Sequence, residues 1–296
     1  MEHITAGALD IAYHTYGPED GTLAILLHGF PYDTHAYDEA AGTLAGQGIR
    51  SVVPYLRGYG PTRFLSLETP RSGEQAALGA DLLALMDGLG IERALLGGYD
   101  WGGRAACIVA ALWPERVHGL VSCGLGYNIQ NIAKAGIPAP PEEEARYWYM
   151  YYFHTERGRT ALQTRRAEVC RFIWGLWSPS WAFDDATYER TARSFENPDF
   201  VDIVIHSYRH RFGGVPGDPD VAWIEAKLAE QPDISVPAIV LEGADDGVDP
   251  PDEKDHARRH YTGPYDRRII AGAGHNLPQE TPDAFAQAIL DVAAKA

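Results

Sequence analysis

The chain has 296 residues, 45% of them apolar, and a formal net charge of −16. That length holds one large α/β domain, or a domain with an insertion, around a sizeable core. The charge argues against nucleic acid or an anionic membrane as partner. The three cysteines, Cys107, Cys123 and Cys170, are scattered and odd in number, which predicts free thiols in a reducing compartment.

The first six residues lack a basic region followed by an apolar stretch, so no signal peptide is expected. No apolar run reaches the roughly 18 residues of a transmembrane helix. A cytoplasmic protein is expected. Residues up to Tyr16 alternate weakly and predict one or two antiparallel strands, closed by the turn cluster Gly17-Pro18-Glu19-Asp20-Gly21. Leu23 to Leu27 is a continuous apolar run of strand length, as buried parallel strands show. It ends in His28-Gly29-Phe30-Pro31. Ile49 to Pro54 is the next strand, followed by Arg57-Gly58-Tyr59-Gly60. Leu82, Leu85, Met86 and Leu89 fall at helical spacing within 73–89. Ile91 to Leu96 is a strand, and Arg104 to Trp113 an alanine-rich helix.

Between them lies Gly97-Gly98-Tyr99-Asp100-Trp101-Gly102-Gly103. Gly98 and Gly102 flank Asp100 at minus two and plus two. This is the Gly-x-nucleophile-x-Gly elbow with aspartate at its centre. An aspartate before a helix is also a common N-cap, so the rest of the chain has to decide. Val117 to Cys123 is a further strand. From 127 to 235 strand-like runs are few. Helical patterns and aromatic residues dominate there, including Tyr147-Trp148-Tyr149-Met150-Tyr151-Tyr152-Phe153. Strands resume at Val236 to Leu241 and Arg268 to Ile270, and Asp283 to Ala294 closes as a helix. The alternation predicts a mostly parallel sheet with helices on both faces. Residues 1–126 and 236–296 form this core. Residues 127–235 form a helical cap inserted after the sixth strand, over the carboxyl ends of the strands where open α/β sheets bind ligands.

An aspartate nucleophile makes an ester that must be freed by a base-activated water, and the base needs an orienting carboxylate. The order nucleophile, acid, histidine is the one that hydrolases of this elbow use. Glu242-Gly243-Ala244-Asp245-Asp246 and Gly272-Ala273-Gly274-His275 follow later strands in that order. All three sites then share one sheet edge. The backbone N–H groups of Phe30 and Trp101 are candidates for an oxyanion hole. His28 reads as a structural hydrogen-bonder.

These motifs resemble the α/β-hydrolase-fold enzymes of the epoxide hydrolase and haloalkane dehalogenase branch, over nearly the whole chain. The resemblance implies the α/β-hydrolase fold, with Asp100 as nucleophile and His275 as base. It implies Asp246 as the acid rather than Asp245, three residues after the glycine that ends its strand. For epoxide hydrolases it implies two cap tyrosines that protonate the epoxide oxygen, here Tyr149 and Tyr208. For dehalogenases it implies halide donation by Trp101 and a second donor, for which Trp148, Trp174, Trp177 and Trp181 are candidates. Haloacetate dehalogenases place Arg after the nucleophile; Trp101 departs from that pattern, while Arg104 matches their second arginine. Tyr99 stands where the branch usually has His. Trp101, Trp148 and Tyr152 are the expected substrate-binding residues. Epoxide opening to a diol is the expected reaction. Hydrolytic dehalogenation is the alternative, ahead of a lactone or ester hydrolase and of a non-catalytic receptor. No cofactor or metal is implied. The expected partner is a small apolar substrate, and a homodimer is left open.

Overall fold

The computed structural model describes residues 1–295. The strands are β1 (Glu2–Ala6), β2 (Leu9–Tyr16), β3 (Thr22–Leu27), β4 (Ile49–Pro54), β5 (Arg63–Phe64), β6 (Ala94–Tyr99), β7 (Val117–Cys123), β8 (Ala238–Gly243) and β9 (Tyr265–Ile270). They form one sheet in the order β1-β2-β4-β3-β6-β7-β8-β9, with β5 paired to β2. Pairing is antiparallel at the β1–β2–β4 end and parallel from β4 through β9. The parallel strands β3, β6 and β8 are apolar or glycine along most of their length because both their faces are covered.

The core helices are α1 (Asp38–Ala45), α2 (Gln75–Gly88) and α3 (Asp100–Leu112). Neighbouring glycines show how the layers are set. A Cβ on Gly97 would stand 2.8 Å from Phe285 Cζ, and one on Gly98 would stand 2.6 Å from the Gly102 carbonyl carbon. Successive strand residues point to opposite faces. The segment carrying Phe285 therefore covers one face of the sheet, and α3, packed on α2, covers the other.

Between β7 and β8 no strand forms among the described residues. This segment holds α4 (Pro141–Arg146), α5 (Trp148–His154), α6 (Glu156–Trp177), α7 (Asp185–Ala192), α8 (Phe200–Arg211) and α9 (Ala222–Leu228). It follows the seventh strand in chain order rather than the sixth. The two-residue strand β5, too short to show any periodicity, adds one to the count. The chain closes with α10 (Leu277–Glu280) and α11 (Pro282–Ala293), which carries Phe285.

Polar ties pin the helical segment over the β3 end of the sheet. Thr191 Oγ1 and Ser194 Oγ donate to the buried Asp33 carboxylate at 3.0 and 2.6 Å. The Trp174 indole N–H donates to the Pro31 carbonyl at 2.7 Å. No helix among the described residues is long and apolar enough to cross a membrane. Cys107, Cys123 and Cys170 are free and buried.

Candidate active site

The strand before the elbow runs three residues further than its apolar pattern suggests, through Gly97, Gly98 and Tyr99. Helix α3 then begins at Asp100 itself rather than at Arg104. The turn is that tight because Asp100 takes a left-handed φ of 49°. For a residue other than glycine this is a strained conformation, costing on the order of 1–3 kcal/mol. The flanking glycines answer close backbone approach: a Cβ on Gly102 would lie 2.0 Å from the Leu27 carbonyl oxygen. A Cβ on Gly29 would lie 2.5 Å from Asp100 Cβ. With that space open, the Phe30 N–H donates to Asp100 Oδ1 at 2.7 Å. The Trp101 N–H lies in the first turn of α3, where backbone donors have no partner within the helix.

His275 follows β9, and Asp246 follows β8. The His275 Nδ1–H donates to Asp246 Oδ2 at 2.8 Å. The other Asp246 oxygen accepts from the Val248 and Asp249 N–H groups, both at 2.9 Å. Asp246 is buried while Asp245 is exposed, so it is Asp246 that the fold brings to the histidine. His275 Nε2 has no hydrogen-bond partner and stands 3.8 Å from Asp100 Oδ2, an ion-pair distance rather than a hydrogen bond.

The electrostatics follow from these neighbours. Burial works against the His275 cation, yet the charges of Asp246 and Asp100 hold its pKa well above 6.5. Burial also works against the Asp100 anion. His275, the Arg211 cation and the Phe30 N–H outweigh it and lower the pKa. His28 is different. Its Nδ1–H donates to the Gly29 carbonyl and its Nε2 accepts from the Leu56 N–H, and burial pushes it down to about 4. It is neutral and structural.

Asp100 and His275 open onto a cavity of about 300 Å³ that Tyr149 also lines. Tyr208 and Trp101 form a wholly buried layer behind, with ring centroids 6.1 Å apart. Neither the Tyr208 hydroxyl nor Trp101 Nε1 has a hydrogen-bond partner. The Tyr149 and Tyr208 rings meet edge to face at 5.4 Å. Among the other candidate halide donors, Trp174 is committed to Pro31 and Trp181 stacks on Trp174.

Two expected substrate-binding residues are elsewhere. Trp148 and Tyr152 line an open groove on the outer side of the helical segment, with Phe172 and Arg165. They are one turn apart on α5 and share a face. Tyr149 and Phe153, one position on, take the buried face. The cavity lining is mixed, with Leu125, Ile129, Ile137, Met150 and Phe212 among its apolar residues. Its polar side carries Arg104, Arg211, Gln130 and Asn128. Arg211 and Asp249 were not singled out from the sequence. Arg211 stands three residues after Tyr208, in the last turn of α8. Asp249 accepts the Tyr147 hydroxyl at 2.9 Å, and burial together with Asp246 pushes it up to about 6. No group of three or more His, Cys, Asp or Glu side chains among the described residues is arranged to hold a metal ion.

A family model described as the alpha/beta hydrolase fold matches residues 24–281. Over 133 residues the chain is 34% identical to "Epoxide hydrolase 3" of Siraitia grosvenorii, covering 45% of this chain and 42% of that protein. It therefore spans about two fifths of that relative's length. It is 27% identical to "Epoxide hydrolase A" of Mycobacterium tuberculosis, covering 93% of this chain and 91% of that one. A crystal structure of a candidate epoxide hydrolase from Klebsiella pneumoniae superposes with a TM-score of 0.97 at 47% identity, over 99% of this chain and 97% of the other.

Proposed function

Because this chain belongs to the α/β hydrolase fold family, we propose that it is a hydrolase that opens an epoxide to a diol through an ester on Asp100. The observation that carries the reading is the state of the Asp100 carboxylate. One oxygen is held by the Phe30 N–H, and the other faces a histidine that is itself oriented by Asp246. A serine at this elbow would hand its proton to the histidine. A carboxylate has no proton to give and attacks carbon directly.

Asp100 Oδ2 attacks a ring carbon, and the carbon–oxygen bond of the epoxide breaks. Tyr149 and Tyr208 donate to the departing oxygen, which becomes the first hydroxyl. Burial raises the pKa of both phenols, so they stay protonated as donors. His275 Nε2 then takes a proton from water, and the oxygen of that water adds to the ester carbonyl. The resulting oxyanion lies on Oδ1, where Phe30 N–H already donates and the Trp101 N–H joins it. On collapse the ester carbon–oxygen bond breaks and the His275 proton passes to the departing alkoxide, giving the second hydroxyl of the diol; the carboxylic acid left on Asp100 loses its proton, which restores the one the tyrosine gave up, and one water oxygen remains on Asp100. Relatives that carry the name epoxide hydrolase support the choice of epoxide. Dehalogenation would share every step and needs a second halide donor; Trp174 is committed to Pro31, and Trp177, with its ring 4.9 Å from those of His275 and Tyr149, is the candidate that the site holds.

The test is single-turnover epoxide hydrolysis in ¹⁸O water. Label is expected in the Asp100 peptide after one turnover. Diol that carries the label while Asp100 stays unlabelled would refute the covalent route, and no turnover with any epoxide would refute the reaction.

A further inference from the structure

The last turn of α6 reaches from the helical segment to the two loops that carry Asp246 and His275. The Trp177 carbonyl, at the end of that helix, accepts from the Gly247 N–H at 2.9 Å and from the His275 N–H at 3.2 Å. The first donor stands next to the acid, and the second belongs to the base. Ser178, 1% exposed, adds to the same grip. Its Oγ accepts from the His275 N–H at 3.1 Å and from the Asn276 N–H at 3.4 Å, and donates to Glu280 Oε1 at 2.6 Å. Glu280 completes the ring. Its Oε1 accepts from the Asn276 N–H at 2.9 Å and its Oε2 from the Gly274 N–H at 2.7 Å, one donor on either side of His275. The chains meet so closely that a Cβ on Gly247 would stand 2.0 Å from the Leu176 carbonyl oxygen, and one on Gly274 2.6 Å from Ser178 Cα.

A helix leaves its last carbonyls without partners inside the helix. Here one of them is satisfied by the acid loop and the base loop together, so a helix that belongs to neither loop fixes one against the other. The negative end of that helix also lies beside His275, where it favours the imidazolium. The Trp177 ring extends the link, with its centre 4.9 Å from those of both His275 and Tyr149. These two neighbours serve different halves of the reaction, Tyr149 the ring opening and His275 the ester hydrolysis. Misplacing a catalytic group by about 1 Å can slow its step about 10²-fold. We propose that Ser178 and Glu280 are positioning residues for His275, and that the helical segment, through the end of α6, sets the water-activating step as well as lining the cavity. This role rests on the reading of His275 as the base. It does not depend on what leaves the carbon.

The test follows single-turnover opening of 1,2-epoxybutane by the intact protein, with the ester on Asp100 quenched and weighed by mass spectrometry. In Ser178→Ala, ester hydrolysis is expected to slow by roughly 10- to 100-fold, while ester formation changes by less than about threefold. Glu280→Gln, which keeps the shape of the side chain, should show the same one-sided loss more weakly. The double variant should be about as slow as Ser178→Ala alone, because the two residues act through one network. The His275 Nδ1 proton, bonded to Asp246 at 2.8 Å, gives a second readout that needs no substrate. Its low-field NMR signal should broaden or move upfield in Ser178→Ala at an unchanged melting temperature. A merely structural contact would lower the melting temperature and leave both the signal and the ratio of the two rates where they were, which would overturn the proposal. Should Ser178→Ala fail to fold, Glu280→Gln carries both readouts. If 1,2-epoxybutane is opened and both variants hydrolyse the ester at the wild-type rate, the positioning role falls and the epoxide reading stands. If the wild type opens no epoxide, the epoxide reading falls and the NMR comparison decides: a changed signal upholds the positioning role, and an unchanged one overturns it.

Discussion

Replacing His275 by glutamine should stop the reaction halfway. The imidazole has separable duties: its charge helps keep Asp100 ionised, and its Nε2 activates water against the ester. Only the second is irreplaceable. In the variant Asp100 keeps the Phe30 N–H at 2.7 Å and the Arg211 charge, so it remains an anion able to attack. A general base contributes about 10²- to 10⁴-fold to the step it serves. Ester hydrolysis should therefore slow by roughly 10³-fold while alkylation changes by no more than about tenfold. The ester then accumulates towards one per chain.

The fold should tolerate the change. The His275 N–H bonds to Trp177 and Ser178 come from the backbone. Asp246 keeps the Val248 and Asp249 N–H groups, and the glutamine amide can replace the lost donor. Intact-protein mass spectrometry after mixing with epoxide is the assay. Epoxide opening adds the mass of the whole substrate to the Asp100 peptide. Halide displacement would add only the alkyl group, with halide released. A folded variant that shows no adduct on Asp100, while the wild type still consumes epoxide, would refute the assignment of Asp100 as nucleophile.

Two more predictions concern the buried groups. Tyr208→Phe should separate function from stability. Its hydroxyl is buried without a partner in the resting enzyme, so removing it should leave the melting temperature unchanged or raised by a few degrees, while ring opening falls about 10- to 100-fold. Calorimetry and pre-steady-state kinetics read the two effects, and a clear loss of stability would show that the hydroxyl is bonded after all. Asp100→Asn should bring the His275 pKa down towards about 6.5, seen by NMR titration of its ring. Because the folded pKa is raised, the stability this ion pair contributes is full below about pH 6.5 and is lost as pH rises through the folded value. The wild type should therefore lose stability on the alkaline side more steeply than the Asn variant, and parallel pH profiles would show that the pair contributes nothing.

Much of the fold was legible because parallel strands buried on both faces read as apolar runs, and Leu23 to Leu27 or Val236 to Leu241 need no further context. The elbow was less so. Glycines at 97 and 98 disguise a strand as a loop, since only three-dimensional packing against Phe285 and Gly102 explains them. The helical segment between β7 and β8 was the hardest. An aromatic residue on an amphipathic helix has the same sequence signature whether it faces a cavity, a neighbouring helix or a groove. Tyr149 and Trp148 are adjacent and differ only in that angle. Arg211 was hidden for the opposite reason: a charge in the last turn of a helix usually faces solvent, and only the packing of α8 turns this one inward.

The resting site poses a problem of timing that its own charges resolve. In its protonated form, which burial opposes and the neighbouring charges favour, His275 is no base. It is held there by two carboxylates, and only one of them survives the first step. When Asp100 becomes an ester its charge is gone, and with it one of the two anions that favoured the imidazolium. Asp246 still orients the ring through Nδ1, but burial, which opposes the cation, is now balanced by one anion rather than two. The proton becomes easier to lose when a water needs a base.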